Sequence, residues 1–222
     1  MKTALILSTA LITSIGNSNQ ANSRAIQYAN GVKDILKRFN LTENLEIFIC
    51  DNTIENEDLL NLELKKVLND INIRNKFYLN ENSYGKINKG CGLISQWNYI
   101  LPTLVDTFEY IIHYEPRQIL ENEMFFNTFI SKPFNIFKTD AVIIYKFKIL
   151  PYIYNHFQTG LFSCKTSVLL SFTKSINIER MAVYKKSIER EMYLYFKKNK
   201  IPYNTIKILG LIWDSSGKSI KL

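Results

Sequence analysis

The stretch Thr3-Ala-Leu-Ile-Leu-Ser-Thr-Ala-Leu-Ile-Thr-Ser-Ile-Gly16, which follows Met1-Lys2, decides how the chain folds. A charged start and an apolar run resemble a secretory leader. Ser8, Thr9, Thr13 and Ser14 interrupt that run, and no small-x-small cleavage site stands out before Asn22-Ser23. The other reading is a buried first strand over roughly residues 2–10. Strands covered on both faces read as near-continuous aliphatic runs. We read a strand here, ending in the polar loop Asn17 to Ser23.

Downstream, helical and extended patterns alternate. Residues 24–39 place Ile26, Val32, Ile35, Leu36 and Phe39 at helical spacing. Leu45-Glu-Ile-Phe-Ile-Cys50 reads as a strand that ends at Asp51-Asn52, and residues 56–68 return to the helical period. Lys76-Phe-Tyr-Leu79 is a short strand, and Asn80 to Gly90 is polar. Leu93 to Leu104 reads as a helix ending near Pro102. Phe108-Glu-Tyr-Ile-Ile-His-Tyr114 is a strand closed by Glu115-Pro116. The spacing then predicts a helix over Ile119–Ile130, a strand over Asp140–Phe147, and helices over 164–173 and 179–198. A short apolar stretch, Ile206 to Trp213, lies near the end.

This alternation predicts an α/β, Rossmann-like fold, with a mostly parallel central sheet and helices on both faces. Such sheets take ligands beyond the C-terminal strand ends. Here those ends are Ser8-Thr9, Asp51-Asn52, Asn80–Tyr84 and His113–Arg117, all polar.

With 222 residues the chain is long enough to bury roughly 70% of its unfolded surface in a single domain. Hydrophobic residues make up 46% and charged residues 22%, which argues against disorder, collagen and a disulfide scaffold. Cys50, Cys91 and Cys164 are odd in number and widely spaced, so a reducing, cytoplasmic compartment is expected. No segment reaches the ~18–20 apolar residues of a membrane-spanning helix.

The formal charge of +8 is unevenly placed: residues 1–130 carry −3 and residues 131–222 carry +11. Asn, Ile and Lys together make 75 residues, so part of the bias is that of an A/T-rich coding sequence. A cationic C-terminal half suits an anionic surface or ligand, including the headgroups of the inner membrane face. A solvated lysine-rich surface is the plainer reading. Nucleic acid is not an expected partner, because the lysines are scattered and no RNP-like or helix-turn-helix pattern is present.

Over most of residues 3–196 the order of these patterns resembles the GT-A glycosyltransferases, especially small bacterial enzymes of capsule and lipopolysaccharide gene clusters. The resemblance divides the single domain into a nucleotide-binding half, 1–118, and a basic acceptor-side half, 119–222. Ser8 and Thr9 look like the nucleotide entry, and Asp51 like the residue holding base or ribose. Tyr84-Gly-Lys-Ile-Asn-Lys-Gly90 resembles the Asn/Gly loop before a helix that lies against the diphosphate. Phe157-Gln-Thr-Gly-Leu-Phe162 is similar to the loop opening the acceptor side, and Ser187-Ile-Glu-Arg-Glu191 to a late acidic position. The family's Asp-x-Asp metal motif is represented here by His113-Tyr114-Glu115. The resemblance implies Mg²⁺ or Mn²⁺ on Glu115, since a hard cation can be held by one or two carboxylates plus substrate phosphates. A metal-independent site would instead neutralise the leaving diphosphate with Arg117, His113 or Lys86.

Each motif also has a purely structural reading. Asp51-Asn52 could hold a nucleoside or cap a turn. Lys86 and Asn88 could cradle phosphate on a loop that is otherwise a flexible turn, and the loop does not fit the P-loop pattern. His113, Glu115 and Arg117 could handle phosphate and metal, or form a surface ion pair beside a half-buried histidine. Gln158, Thr159 and Gly160 could shape an acceptor pocket or a turn. His156, Glu189 and Glu191 are the candidate bases for an acceptor hydroxyl. Glu189 and Glu191 point to different sides of one helix, so only one can face the site, and Glu189 is the choice.

The expectation is a nucleotide-sugar-dependent glycosyltransferase acting on a glycan or lipid-linked acceptor in surface polysaccharide synthesis. A nucleotidyl or phosphoryl transferase of polysaccharide precursors is the alternative, and a nucleic-acid-binding module comes third.

Overall fold

The computed structural model describes residues 1–11, 18–38, 44–70, 75–79, 81–146, 150–215 and 218–221. In chain order the first half runs β1 (Thr3–Thr9), α1 (Ser18–Arg38), β2 (Leu45–Asp51), a 3-10 turn (Glu57–Leu59), α2 (Leu62–Asp70), β3 (Asn75–Tyr78), α3 (Lys89–Leu104) and β4 (Tyr110–Tyr114). The second half runs β5 (Ile119–Leu120), α4 (Met124–Ser131), β6 (Ile136–Phe137), β7 (Thr139–Lys146), β8 (Leu150–Phe157) and β9 (Leu161–Lys165). It closes with α5 (Thr166–Ser175), α6 (Ile178–Val183), α7 (Ile188–Lys198), β10 (Asn204–Thr205), β11 (Leu211–Ser215) and β12 (Lys218–Lys221).

A seven-stranded sheet in the order β10-β6-β9-β4-β1-β2-β3 is the spine. β3, β2, β1 and β4 run parallel, and β6 and β10 run the same way. β9 alone in this sheet is reversed, pairing antiparallel with both β4 and β6. β7 and β8 form a separate hairpin, and β12-β11-β5 a small antiparallel sheet.

The aliphatic run at the N-terminus is the central strand, with every β1 residue buried. Its side chains alternate between two cores. Leu5 and Leu7 join Ile47, Ile49, Ile112 and Tyr114 under α1, α2 and α4. Ala4 and Ile6 join Phe48, Cys50, Ile111 and Phe162 under α3, α5, α6 and α7. The period-2 alternation of a strand thus feeds helices on both faces. Gly31 sits in the middle of α1 because a Cβ there would lie 1.7 Å from the Pro116 carbonyl oxygen. The helix and the turn after β4 are in backbone contact.

Five local expectations change, the first being the polar loop Asn17 to Ser23, of which Ser18 to Ser23 open α1. Ile119–Ile130 is not one helix: Ile119–Leu120 pairs with Leu211–Ile212 as β5, and α4 starts only at Met124. The helix expected over 164–173 begins at Thr166, because Leu161–Lys165 completes the sheet as β9. The helix expected over 179–198 is broken into α6 and α7 at a turn where Lys185 adopts φ +48°. The strand expected over Asp140–Phe147 is β7, and its return strand β8 went unforeseen. Thr13, Ser14, Asn17, Phe39, Asn80 and Phe147 lie outside the described residues. Among the described residues, no helix is long and apolar enough to cross a membrane.

Candidate active site

Parallel pairing brings the C-terminal ends of β1, β2, β3 and β4 to one rim, with Thr9 beside Asp51, Asp51 beside Tyr78, and Leu7 beside Tyr114. Because β9 is reversed, its first residue Leu161 pairs with Tyr114, and the Glu115 amide donates to the Gly160 carbonyl at 2.9 Å. The loop between β8 and β9 therefore opens on the same rim.

Asp51 is fully buried at its centre. One oxygen accepts from the Thr9 hydroxyl at 2.7 Å and the Leu11 amide at 3.1 Å. The other accepts from the Thr53 amide at 2.7 Å and its hydroxyl at 2.6 Å. The carboxylate thus fixes where β1 and β2 leave the sheet, rather than facing outward toward a nucleoside. Asn52 is buried too: its amide donates to Asn82 and to the Gly92 carbonyl, each at 3.0 Å. Gln96 of α3 completes the network by donating to the Thr9 carbonyl at 2.6 Å and to Asn52 at 3.0 Å. Gln96, Thr53 and Asn82 were not foreseen. Only Gln96 left a signal, a polar side chain interrupting the stripe of Leu93, Trp97 and Ile100. Ser8 is buried, and among the described residues its hydroxyl has no partner.

His113 corrects the sequence reading most. It points into the α3 face, edge-on to Trp97 at 5.3 Å and stacked on Phe162 at 5.1 Å. Burial lowers its pKa to about 4, against an opposing pull from Glu115. It is a core imidazole, one residue short of the rim. Asn88 is likewise structural. Its side-chain oxygen caps α3 at the Gly90 amide, and its amide donates to the Lys186 and Met181 carbonyls. Lys86 remains exposed on the preceding loop.

At the rim itself stand Glu115 and Arg117. The guanidinium donates to one Glu115 oxygen through Nε at 3.0 Å and Nη2 at 2.5 Å. Burial opposes the Arg117 charge, but Glu115 and the neighbouring Tyr28 hydroxyl outweigh it and raise the pKa. Tyr28, from α1, also accepts the Ala10 amide at 3.0 Å and so ties the cation to the exit of β1. Its own pKa is raised by burial and then by Glu115. A forked cation locked in this way suits phosphate oxygens.

The donor set does not amount to a preformed cation site. One Glu115 oxygen is already paired with Arg117, and among the described residues no group of three His, Cys, Asp or Glu side chains comes together. Burial also pushes the thiols of Cys50, Cys91 and Cys164 up, which leaves no activated cysteine nucleophile.

On the side expected to take an acceptor, Thr159 donates to Glu189 at 3.2 Å, and Ser187, the N-cap of α7, donates to its other oxygen at 2.7 Å. The two expected groups Thr159 and Glu189 are therefore brought together, whereas Glu191 turns aside to pair with Lys186 at 3.4 Å. Gln158 donates to Asp140 at 2.6 Å, and His156 is half-buried on β8 opposite Asp140. Gly160 lies under Gln118, whose amide would be about 2 Å from a Cβ there.

No protein-family model matches the sequence, and no curated protein matches it. Solved structures do. The 4-diphosphocytidyl-2C-methyl-D-erythritol synthase of Anaerococcus prevotii is similar with a TM-score of 0.55 and 11% identity, over 92% of this chain and 86% of that one. A second 4-diphosphocytidyl-2C-methyl-D-erythritol synthase is similar with a TM-score of 0.50 and 9% identity, over 100% of this chain and 92% of that one. At such identities the likeness is one of fold. It extends across nearly the whole chain.

Proposed function

We propose that the chain is a nucleotide-dependent transferase whose donor lies across the rim of β1, β2 and β4, with nucleotidyl transfer as its chemistry. The observation that carries this reading is the whole-chain likeness to two synthases of a diphosphocytidyl compound, a product that bears a nucleotide. In that chemistry an acceptor phosphate oxygen attacks the α-phosphorus of a nucleoside triphosphate. The new P–O bond forms as the bond to pyrophosphate breaks, and pyrophosphate carries off the charge. Arg117, held by Glu115 and Tyr28, is the preorganised cation available to stabilise that charge. The fold likeness therefore supports nucleotidyl transfer ahead of the glycosyl transfer expected from the sequence.

Glycosyl transfer keeps one supporting observation, the Thr159–Glu189 contact beside the rim. There Glu189 would take the proton of an acceptor hydroxyl as that oxygen attacks the sugar carbon and a nucleoside diphosphate leaves.

Thermal unfolding with millimolar nucleoside triphosphates and nucleotide sugars, with and without Mg²⁺ or Mn²⁺, tests the shared premise. A cognate ligand at a hundredfold its Kd raises Tm by about 5 °C or more. Product analysis then separates the chemistries, since pyrophosphate marks nucleotidyl transfer and a nucleoside diphosphate marks glycosyl transfer. No stabilisation by any nucleotide removes the proposal.

A further inference from the structure

The α6–α7 turn and the loop before α3 are bonded to one another. The Asn88 amide reaches the Met181 carbonyl at 3.3 Å and the Lys186 carbonyl at 2.8 Å. Gly90 lies so close to Met181 and Ile188 that a Cβ would come within 3 Å of both. On this paired tip, large apolar side chains face outward: Ile87 is 61% exposed, Val183 69% and Tyr184 65%. The turn beneath them is fixed. The Lys185 amide donates to Ala182 and the Lys186 amide to Met181, the two bonds of a Schellman closure. Lys185 sits at φ +48°, where glycine is the usual residue.

Charge surrounds these side chains. Residues 84–90 and 178–187 contain Lys86, Lys89, Arg180, Lys185 and Lys186 against Glu179, and Lys186 is paired with Glu191 at 3.4 Å. The Arg180 guanidinium lies 5.7 Å above the Tyr184 ring. Leu62, the most exposed large apolar side chain among the described residues at 82%, has a mixed setting of Glu57, Asp58 and Glu63 with Lys65 and Lys66.

We infer that this tip docks the protein on an anionic lipid bilayer. Val183, Tyr184 and Ile87 would enter the headgroup boundary while the lysines meet lipid phosphates. Apolar insertion combined with cationic attraction is the physical requirement for reversible surface binding. Because Asn88 caps α3 and Asn52 holds Gly92, the docking tip is coupled to the strand-end network. Docking there would bring the rim close to the lipid surface. The inference does not depend on which group is transferred.

Co-sedimentation with vesicles tests it, using phosphatidylcholine alone and an equal mixture with phosphatidylglycerol. The whole protein is expected to bind the mixture, to ignore phosphatidylcholine alone, and to release as salt rises. Val183→Ser with Tyr184→Ser should weaken binding at least tenfold. Lys185→Gly, which keeps the turn, should weaken it about fivefold. Leu62→Ser should change nothing, and unfolding midpoints certify that each variant is folded. Failure to bind the anionic mixture overturns the inference. So does equal loss with Leu62→Ser, insensitivity to the tip variants, or binding to oligonucleotides in place of vesicles.

Discussion

Two polar residues at strand ends show how burial decides a role. Asp51 and His113 each follow an apolar strand and read alike in the sequence, as polar strand-end groups. Asp51 is fully buried with four donors around its carboxylate. His113 is fully buried between rings. A buried neutral imidazole makes stability depend on pH. The folded protein binds its proton only near pH 4, whereas the unfolded chain binds it near pH 6.5. Between those values the unfolded state holds more protons, so stability is complete above pH 6.5 and falls as the pH drops toward 4. Urea unfolding should show a loss of about 2 kcal/mol from pH 7 to pH 5 through this group. His113→Leu should remove that part of the loss, and an unchanged pH profile in the variant would refute the assignment. The sequence displayed both residues as candidates. It could not display their direction, because one step along a strand moves a side chain from rim to core.

At the scale of elements, the helix period was visible and the breaks were not. Met181, Tyr184, Ile188, Met192 and Tyr195 keep helical spacing straight through the α6–α7 turn, so the stripe conceals the stop. The usual glycine signal is missing because Lys185 occupies the left-handed position. An L-residue there costs roughly 1 kcal/mol that glycine would not. Lys185→Gly should therefore raise unfolding stability by about 1 kcal/mol in denaturant titration, and a destabilised variant would contradict the turn geometry. β5 and β9 were illegible for another reason. A two-residue strand carries too little periodicity, and Ile119–Leu120 is extended where β11 returns to pair with it, while β9 runs into α5 with no loop between them.

For the molecule as a whole, the alternation of the first 115 residues was enough to give the parallel order and the common rim. That follows because right-handed crossovers leave few other arrangements. The second half was less readable, since the hairpin, the reversed strand and the small sheet are fixed by long-range pairing. Protection from exchange should follow the same division. β1 and β4 have strands on both sides and a core on each face. Their amides should be the slowest to exchange by hydrogen–deuterium mass spectrometry, and those of the β7–β8 hairpin much faster. Equal protection in the hairpin would count against this layering.

The inverted fifth member of the spine, β9, has a further consequence. It lets a segment from late in the chain arrive beside Glu115 without any crossover helix, as a bare three-residue bend from Gln158 to Gly160. Gly160 is held there by the Glu115 amide and by its contact with Gln118, whereas the Gln158 and Thr159 side chains bond to Asp140 and Glu189, outside the pairings of β1, β2 and β4. Those two side chains can therefore be varied while the parallel core of the spine keeps its register.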